Sequence, residues 1–266
     1  MATILITNDD GVHSPGLVAV AEAVEGLGNL LIAAPRTAQN SMGRAYLKGE
    51  DVGKIEGIEL SVNGKPQLAY GITGTPAQAV SYAILEIAQE KPILCISGVN
   101  FGENVGLNLI PSGTIGAALE ADTYDIPSLA ISQEVDPNLH STTDYNPNNW
   151  RITKFFIRHF TEKALRLRLP PKVALLNINI PATASIATQI RLTKQSRQNY
   201  FVFDRPGKRE FSKGYKLSVK VEIDNATLEK DSDIYAIVHD KVVSVTPLTW
   251  DQTSNEKISQ EYFQPN

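Results

Sequence analysis

Cysteine is all but absent from this chain, with one residue, Cys95, among 266. That excludes an internal disulfide framework and a cysteine-based zinc site. Its place in the apolar run Ile93-Leu94-Cys95-Ile96 makes it an inert core thiol rather than a nucleophile. No apolar stretch reaches the roughly 18 residues of a membrane span, and no basic region leads into an apolar one at the N-terminus. A cytoplasmic protein without a membrane partner is therefore expected. Positive charge is not in excess: 25 Lys and Arg stand against 29 Asp and Glu, a net charge of −4. The chain as a whole is thus not a polyanion binder, and no nucleic-acid partner is expected. Also missing is a Gly-x-Gly-x-x-Gly after the first apolar run, which removes the dinucleotide signature.

What is present reads as an α/β protein. With 42% apolar and 20% charged residues, the chain has the composition of a globular protein large enough to bury a sizeable core. Residues 2–7 form an apolar run that does not alternate, the pattern of a strand buried on both faces. Pro15 suits a first helical turn, Leu17, Val20, Ala21 and Val24 recur at helical spacing, and Gly26 and Gly28 stop the run. Asn29 to Ala34 is a second strand, so a βαβ unit and a parallel sheet follow. Residues 57–72 read as antiparallel strands around Asn63-Gly64. Thr75-Pro76 starts a helix running to about Glu90, and Pro92 to Ile96 is a further core strand. Ile126 to Ser132 is another strand, and Asn146-Pro147 precedes a helix whose Ile152, Phe155, Phe156 and Phe160 form a core stripe. Lys172 to Ile178 is the last strand of the regular sheet.

After Pro181 the βα alternation stops, and strand-like pieces appear at 189–193, 200–203, 216–223 and 242–246. Eight basic and two acidic residues lie between Lys194 and Lys220, then six acidic and one basic from Val221 to Asp240. The segment reads as too short and extended for its own core. It is expected to be a strand-rich arm, from about 185 to 266, packing on a neighbouring subunit beside a core of about 1–184.

Four segments follow strand ends or open helices on one side of such a sheet: Asn8-Asp9-Asp10-Gly11, the polar loop around Asn40-Ser41, the Gly- and Asn-rich stretch 97–106, and Ser112-Gly113-Thr114. Alone, each could be a turn or a cap. Together they bring two carboxylates, an amide oxygen and a hydroxyl or second amide to one crevice. That all-oxygen set suits Mg²⁺, Mn²⁺ or Ca²⁺ rather than zinc. The helix opening at Ser112 offers an anion site close by. The implied chemistry is metal-assisted hydrolysis of a phosphomonoester. His13 and His159 read as surface or structurally satisfied residues.

Thr7-Asn8-Asp9-Asp10-Gly11-Val12, Ser97-Gly98-Val99-Asn100-Phe101-Gly102-Glu103-Asn104-Val105-Gly106 and Ser112-Gly113-Thr114-Ile115-Gly116-Ala117-Ala118-Leu119-Glu120 resemble the SurE (survival protein E) family. Gly74-Thr75-Pro76-Ala77 and Val243 to Leu248 look like further family motifs, so the resemblance spans nearly the whole chain. It implies a Rossmann-like three-layer core and a metal-dependent 5′-nucleotidase or broader acid phosphatase acting on nucleoside monophosphates. It also implies dimers or tetramers that exchange the C-terminal arm. Carried over, Asp9, Asp10 and Asn100 match metal ligands holding one divalent cation per subunit, with Asp9 and Asp10 catalytic. Ser112, Gly113 and Thr114 match the phosphate side, with Asn100 and Gly102 beside them. The family's fourth ligand is a Ser, and an ungapped match places Asn40 there with Ser41 next to it; either can supply the oxygen. Arg44 stands where many members carry His or Ser. Two other readings compete. A haloacid-dehalogenase-type phosphatase needs Asp-x-Asp, which the adjacent carboxylates do not provide. A catalytically impaired nucleotide-binding or interaction protein of the same fold is favoured only by Asn40.

Overall fold

The computed structural model describes residues 2–135, 150–254, 256 and 259–263. Its centre is a nine-stranded mixed sheet. Strands β1 (Thr3–Thr7), β2 (Asn29–Pro35), β4 (Lys65–Ile72), β5 (Leu94–Phe101), β6 (Ser128–Gln133) and β7 (Leu175–Ile180) run parallel, in the spatial order β4-β2-β1-β5-β6-β7. β3 (Ile55–Val62) pairs antiparallel with β4 through the expected Asn63-Gly64 turn. On the other edge β11 (Val243–Leu248) runs antiparallel to β7 and carries β8 (Ile190–Leu192) outside it.

Alternation along the strands builds three layers. Ile4, Ile6, Ile32 and Ile96 face α1 (Pro15–Val24) and α4 (Arg151–Arg166), where they meet Leu17, Val20, Phe156 and Phe160. Leu5, Ala33 and Cys95 face the other way, onto α2 (Pro76–Tyr82) and α3 (Gly113–Asp122) through Ala79, Val80, Ala117 and Ala121. Each of the first three helices opens on a hydroxyl cap. Ser14 accepts from the Gly16 amide, Thr75 from Gln78 and Ser112 from Ile115. Thr75 and Gln78 form a full capping box. The three-layer, mostly parallel α/β architecture is as expected.

The details differ in four places. The Ser97–Phe101 stretch, expected to lie beyond the end of the strand at Pro92 to Ile96, extends β5, with an irregularity between Gly98 and Asn100. Its pairing with β6 continues past the apolar run, which apolarity alone could not signal. The helix expected to reach Glu90 is regular only to Tyr82; the chain then widens into one π turn, Ala83–Ile87, and leaves helix at Ala88. In α4 the buried face is Thr153, Phe156, Ile157 and Phe160, whereas Phe155 is 44% exposed and belongs to no core stripe. Asn146-Pro147 lies outside the described residues. Fourth, the segment after Pro181 does enclose a small core, in which Tyr200, Leu228, Ile234 and Ile237 close on Val105. Beyond it, β9 (Phe201–Phe203) and β10 (Val219–Val221) form an antiparallel pair outside the main sheet. Phe203, Phe211 and Val219 are exposed there. No helix among the described residues is long and apolar enough to cross a membrane.

Candidate active site

After β1 the chain places β2 and β4 on one side of it, and β5, β6 and β7 on the other. The crevice at the carboxyl ends of β1 and β5 is therefore the topological switch point of the sheet, where α/β folds bind ligands. Asp9 and Asp10 leave β1 at this point. Asn8 holds their turn shut: its side-chain amide donates to the Gly11 carbonyl, and its Oδ1 accepts from the Gly11 amide, both at 3.1 Å.

The opening of α3 is built onto Asp9. Thr114 Oγ1 donates to Asp9 Oδ1 at 2.7 Å, and the side chain is buried. Only glycine fits at position 113, because a Cβ there would lie 2.7 Å from Asp9 Cβ and 2.8 Å from Asp9 Oδ2. Burial pushes the Asp9 carboxyl above its ordinary range, while the Thr114 hydroxyl pulls it back down. Asp10 is pushed up to about 7, first by burial and then by the charge of Asp9, with the Phe101 amide acting in the opposite direction. Its Oδ2 is buried without a hydrogen-bond partner. Thr7 and Ser97, paired across β1 and β5 one turn of the pleat earlier, also carry buried hydroxyls that lack a partner.

Asn100 reaches the same crevice from the end of β5. Its Nδ2 donates to the Gly102 carbonyl at 2.6 Å, which fixes which end of the amide is the acceptor. The loop after β2 closes the opposite side. The Gln39 amide donates to the Asp9 carbonyl at 2.7 Å, and the Gly43 amide to the Pro111 carbonyl at 2.8 Å. Asn40 and Ser41 are the exposed tip between these anchors, and Ser41 has φ of 62°, in the left-handed region that non-glycine residues seldom adopt.

The structure thus brings Asp9, Asp10, Asn100, Gly113 and Thr114 together, with Asn40 and Ser41 on a loop tied to the same edge. Two residues are engaged differently from the simplest reading of the motif. The Ser112 hydroxyl accepts from the Ile115 amide of its own helix, at 3.3 Å. The Thr114 hydroxyl is spent on Asp9. The first-turn amides are engaged as well, Gly113 and Thr114 with the Asp9 carboxylate, Ile115 with the Ser112 hydroxyl and Gly116 with the Ser112 carbonyl, so what remains for an anion is the dipole of the α3 N-terminus. His13 is exposed, as expected of a surface residue, and Cys95 is fully buried with its thiol pushed up to about 12 by burial.

Sequence reasoning missed one group nearby. Glu120, on α3, is buried and accepts from Arg44, Tyr46 and Ser81. Arg44 and Tyr46 lie in the loop after β2, and no short-range pattern marks a partnership spanning more than 70 residues.

The residues present fit a hard cation. Two adjacent carboxylates, each held above its ordinary pKa by burial and one with an orphaned oxygen, are costly without a positive charge between them. No donor set of three or more His, Cys, Asp or Glu occurs among the described residues, so amide, hydroxyl or water oxygens would complete the sphere.

Comparison with known proteins gives a consistent picture. The family model described as "Survival protein SurE" matches residues 4–202. A "5′-nucleotidase SurE" from Thermococcus kodakarensis is 33% identical over 253 residues, 94% of this chain and 93% of that protein. Another from Methanocella arvoryzae is 36% identical over 259 residues, 96% and 94% of the two chains. The crystal structure of the SurE protein from Aquifex aeolicus superposes with a TM-score of 0.73 at 26% identity, covering 94% of each chain.

Proposed function

The chain belongs to the SurE family, and we propose that it is a divalent-cation-dependent phosphomonoesterase releasing phosphate from nucleoside 5′-monophosphates. The family supports nucleotidase or phosphatase activity; the cation, its ligands and the substrate are our reading of the site. Asp9, Asp10 and Asn100, with Asn40 or Ser41, would hold one Mg²⁺ or Mn²⁺ per subunit. When bound, that cation would supply Lewis-acid polarisation of a phosphoryl oxygen and help generate or orient the nucleophile.

The chain's own residues do the rest. Thr114 and Gly113 fix the rotamer of Asp9, leaving Oδ2 against the start of α3. The dipole of that helix start, with Gly102 across the crevice, favours an anion where the phosphate would sit. Asn100 is oriented by its own bond to Gly102. The observation that carries the reading is the buried Asp10 Oδ2 with no partner, next to a second buried carboxylate. Buried acceptors are normally filled, so an orphaned carboxylate oxygen asks for an explanation; Glu103 Oε2 is the other one among the described residues.

We further propose self-association, as a dimer or tetramer, through the segment from about 185 onward, supported by the exposed apolar side chains of the β9–β10 pair. Purified protein with Mg²⁺ or Mn²⁺, offered a panel of nucleoside monophosphates and simple phosphomonoesters, is expected to release inorganic phosphate, and chelation to abolish it. Silence across the whole panel with both metals would refute the enzyme reading.

A further inference from the structure

We propose that Glu120 is a positioning residue, which through Arg44 and Tyr46 holds the 39–47 loop over the Asp9–Asp10 edge; the proposal rests on the metal-site reading above. Glu120 lies near the end of α3, and its carboxylate is 2% exposed. Arg44 Nε donates to Oε2 at 2.6 Å, while the Tyr46 and Ser81 hydroxyls donate to Oε1 at 2.6 and 2.7 Å. Ser81 is on α2, so this one carboxylate ties two helices to the loop.

The rest of the loop is anchored to the same two helices. Thr75 Oγ1 donates to the Ala45 carbonyl at 2.6 Å, and the Gln78 side chain bonds both the amide and the carbonyl of Leu47. Gly43 packs against Gly116, where a Cβ would lie 2.0 Å from the Gly43 carbonyl oxygen. The Arg44 guanidinium is also covered by the Trp250 ring, its centroid 5.2 Å away. Residues 43–47 are therefore fixed on α2 and α3, and residue 39 on the Asp9 carbonyl. Only Asn40, Ser41 and Met42 bridge the two anchors, with Ser41 already in the left-handed region. The position of the tip relative to Asp9 and Asp10 follows from where residues 39 and 43–47 are held, with Arg44 and Tyr46 the part that Glu120 controls.

A purely structural role for Glu120 would alter stability and leave the site of the folded protein unchanged. A positioning role loosens the loop and weakens the cation. The test compares full-length wild type, Glu120→Gln and Glu120→Ala by amide hydrogen exchange without metal, and by the Mn²⁺ dissociation constant without substrate. Expected is faster exchange confined to the 39–47 loop. The Mn²⁺ dissociation constant should rise about 10- to 100-fold for Glu120→Ala. Glu120→Gln, which keeps the shape and one acceptor, should fall between. An unchanged loop, or a loosened loop with unchanged Mn²⁺ affinity, overturns the proposal. If Glu120→Ala does not fold, the Arg44→Ala, Tyr46→Phe double variant removes both loop partners and is judged by the same two readouts. Absence of phosphatase activity in the wild type would instead count against the nucleotidase reading, because neither readout depends on turnover.

Discussion

Two buried acidic groups sit on the two ends of α3, and they are built in opposite ways. Glu120 has every reason to be called structural: a guanidinium on one oxygen and two hydroxyls on the other. The Asp9–Asp10 pair has a hydroxyl on Asp9, backbone amides, and one buried oxygen left with nothing. Folding tolerates a buried carboxylate when its acceptors are filled. A pair left short of donors is a cost the fold carries for a ligand that is to arrive. The difference separates a group that holds the site from the groups that are the site, although all three are acids near one helix.

The sharpest way to break this comparison is to remove the pair. Asp9→Ala and Asp10→Ala are each expected to lower phosphate release by at least about a thousandfold, since losing metal-assisted charge stabilisation is worth several kcal/mol. Titration with Mn²⁺ should show binding lost in the same variants. Retained binding in either one would move the metal elsewhere.

The second effect is in pH. In metal-free protein the Asp10 carboxyl is pushed up to about 7, against about 4 in an unfolded chain. Between those values the folded state holds more protons than the unfolded one. Stability contributed by this group is therefore full below about pH 4 and is lost as pH rises towards 7. Asp9, Glu103 and Asp233, also raised by burial, act with the same sign. Denaturant unfolding of the metal-free protein is expected to give a stability lower by a few kcal/mol at pH 8 than at pH 5. Asp10→Asn should flatten part of that slope, and added Mn²⁺ should restore stability at pH 8. An equal slope in Asp10→Asn would assign it to the other buried acids.

Much of this arrangement was legible in the chain, for definite reasons. β1, β2 and the helix start at Pro15 follow from uninterrupted apolar runs and a proline, signals that are local. Asp9, Asp10 and the Ser112-Gly113-Thr114 opening announce themselves because short loops at strand ends leave few places for polar side chains to go. The continuation of β5 through Ser97 to Phe101 was hidden, since its pairing with β6 is imposed by the neighbouring strand rather than by its own residues. Phe155 was misplaced because an apolar residue every few positions does not say which side of the helix faces the sheet. Glu120 was quoted in a motif yet given no role, as its partners Arg44 and Tyr46 are reached only through the fold.

A subtler perturbation acts at Gly113, which touches the pair without being charged. Gly113→Ala adds a Cβ at 2.7 Å from Asp9 Cβ, closer than packed atoms come, so α3 must retreat or Asp9 must turn. Such overpacking costs about 1–3 kcal/mol, expected as a loss of about 10- to 100-fold in Mn²⁺ affinity with the fold retained. Wild-type affinity in Gly113→Ala would show that the Asp9 rotamer is not what matters.

The smallest effect belongs to the buried group that neither holds the site nor forms it. Cys95 lies on the face of β5 that packs against α2 and α3, fully buried, with its thiol pushed up to about 12. The thiolate needed for reaction is absent at neutral pH, and no path leads a reagent to it while the protein is folded. Cys95→Ala is therefore expected to leave kcat and KM unchanged and to lower stability only by the removal of a small buried side chain, about 1 kcal/mol. A disulfide reagent should label the wild type only at the rate of unfolding. The outcome bears directly on the contrast between the acids: burial and a raised pKa are shared by Cys95 and Asp10, so neither marks a functional group by itself. What distinguishes Asp10 is an unmet oxygen beside a second charge at the open edge of the sheet. Labelling of native Cys95 faster than unfolding, or loss of turnover in Cys95→Ala, would break that distinction.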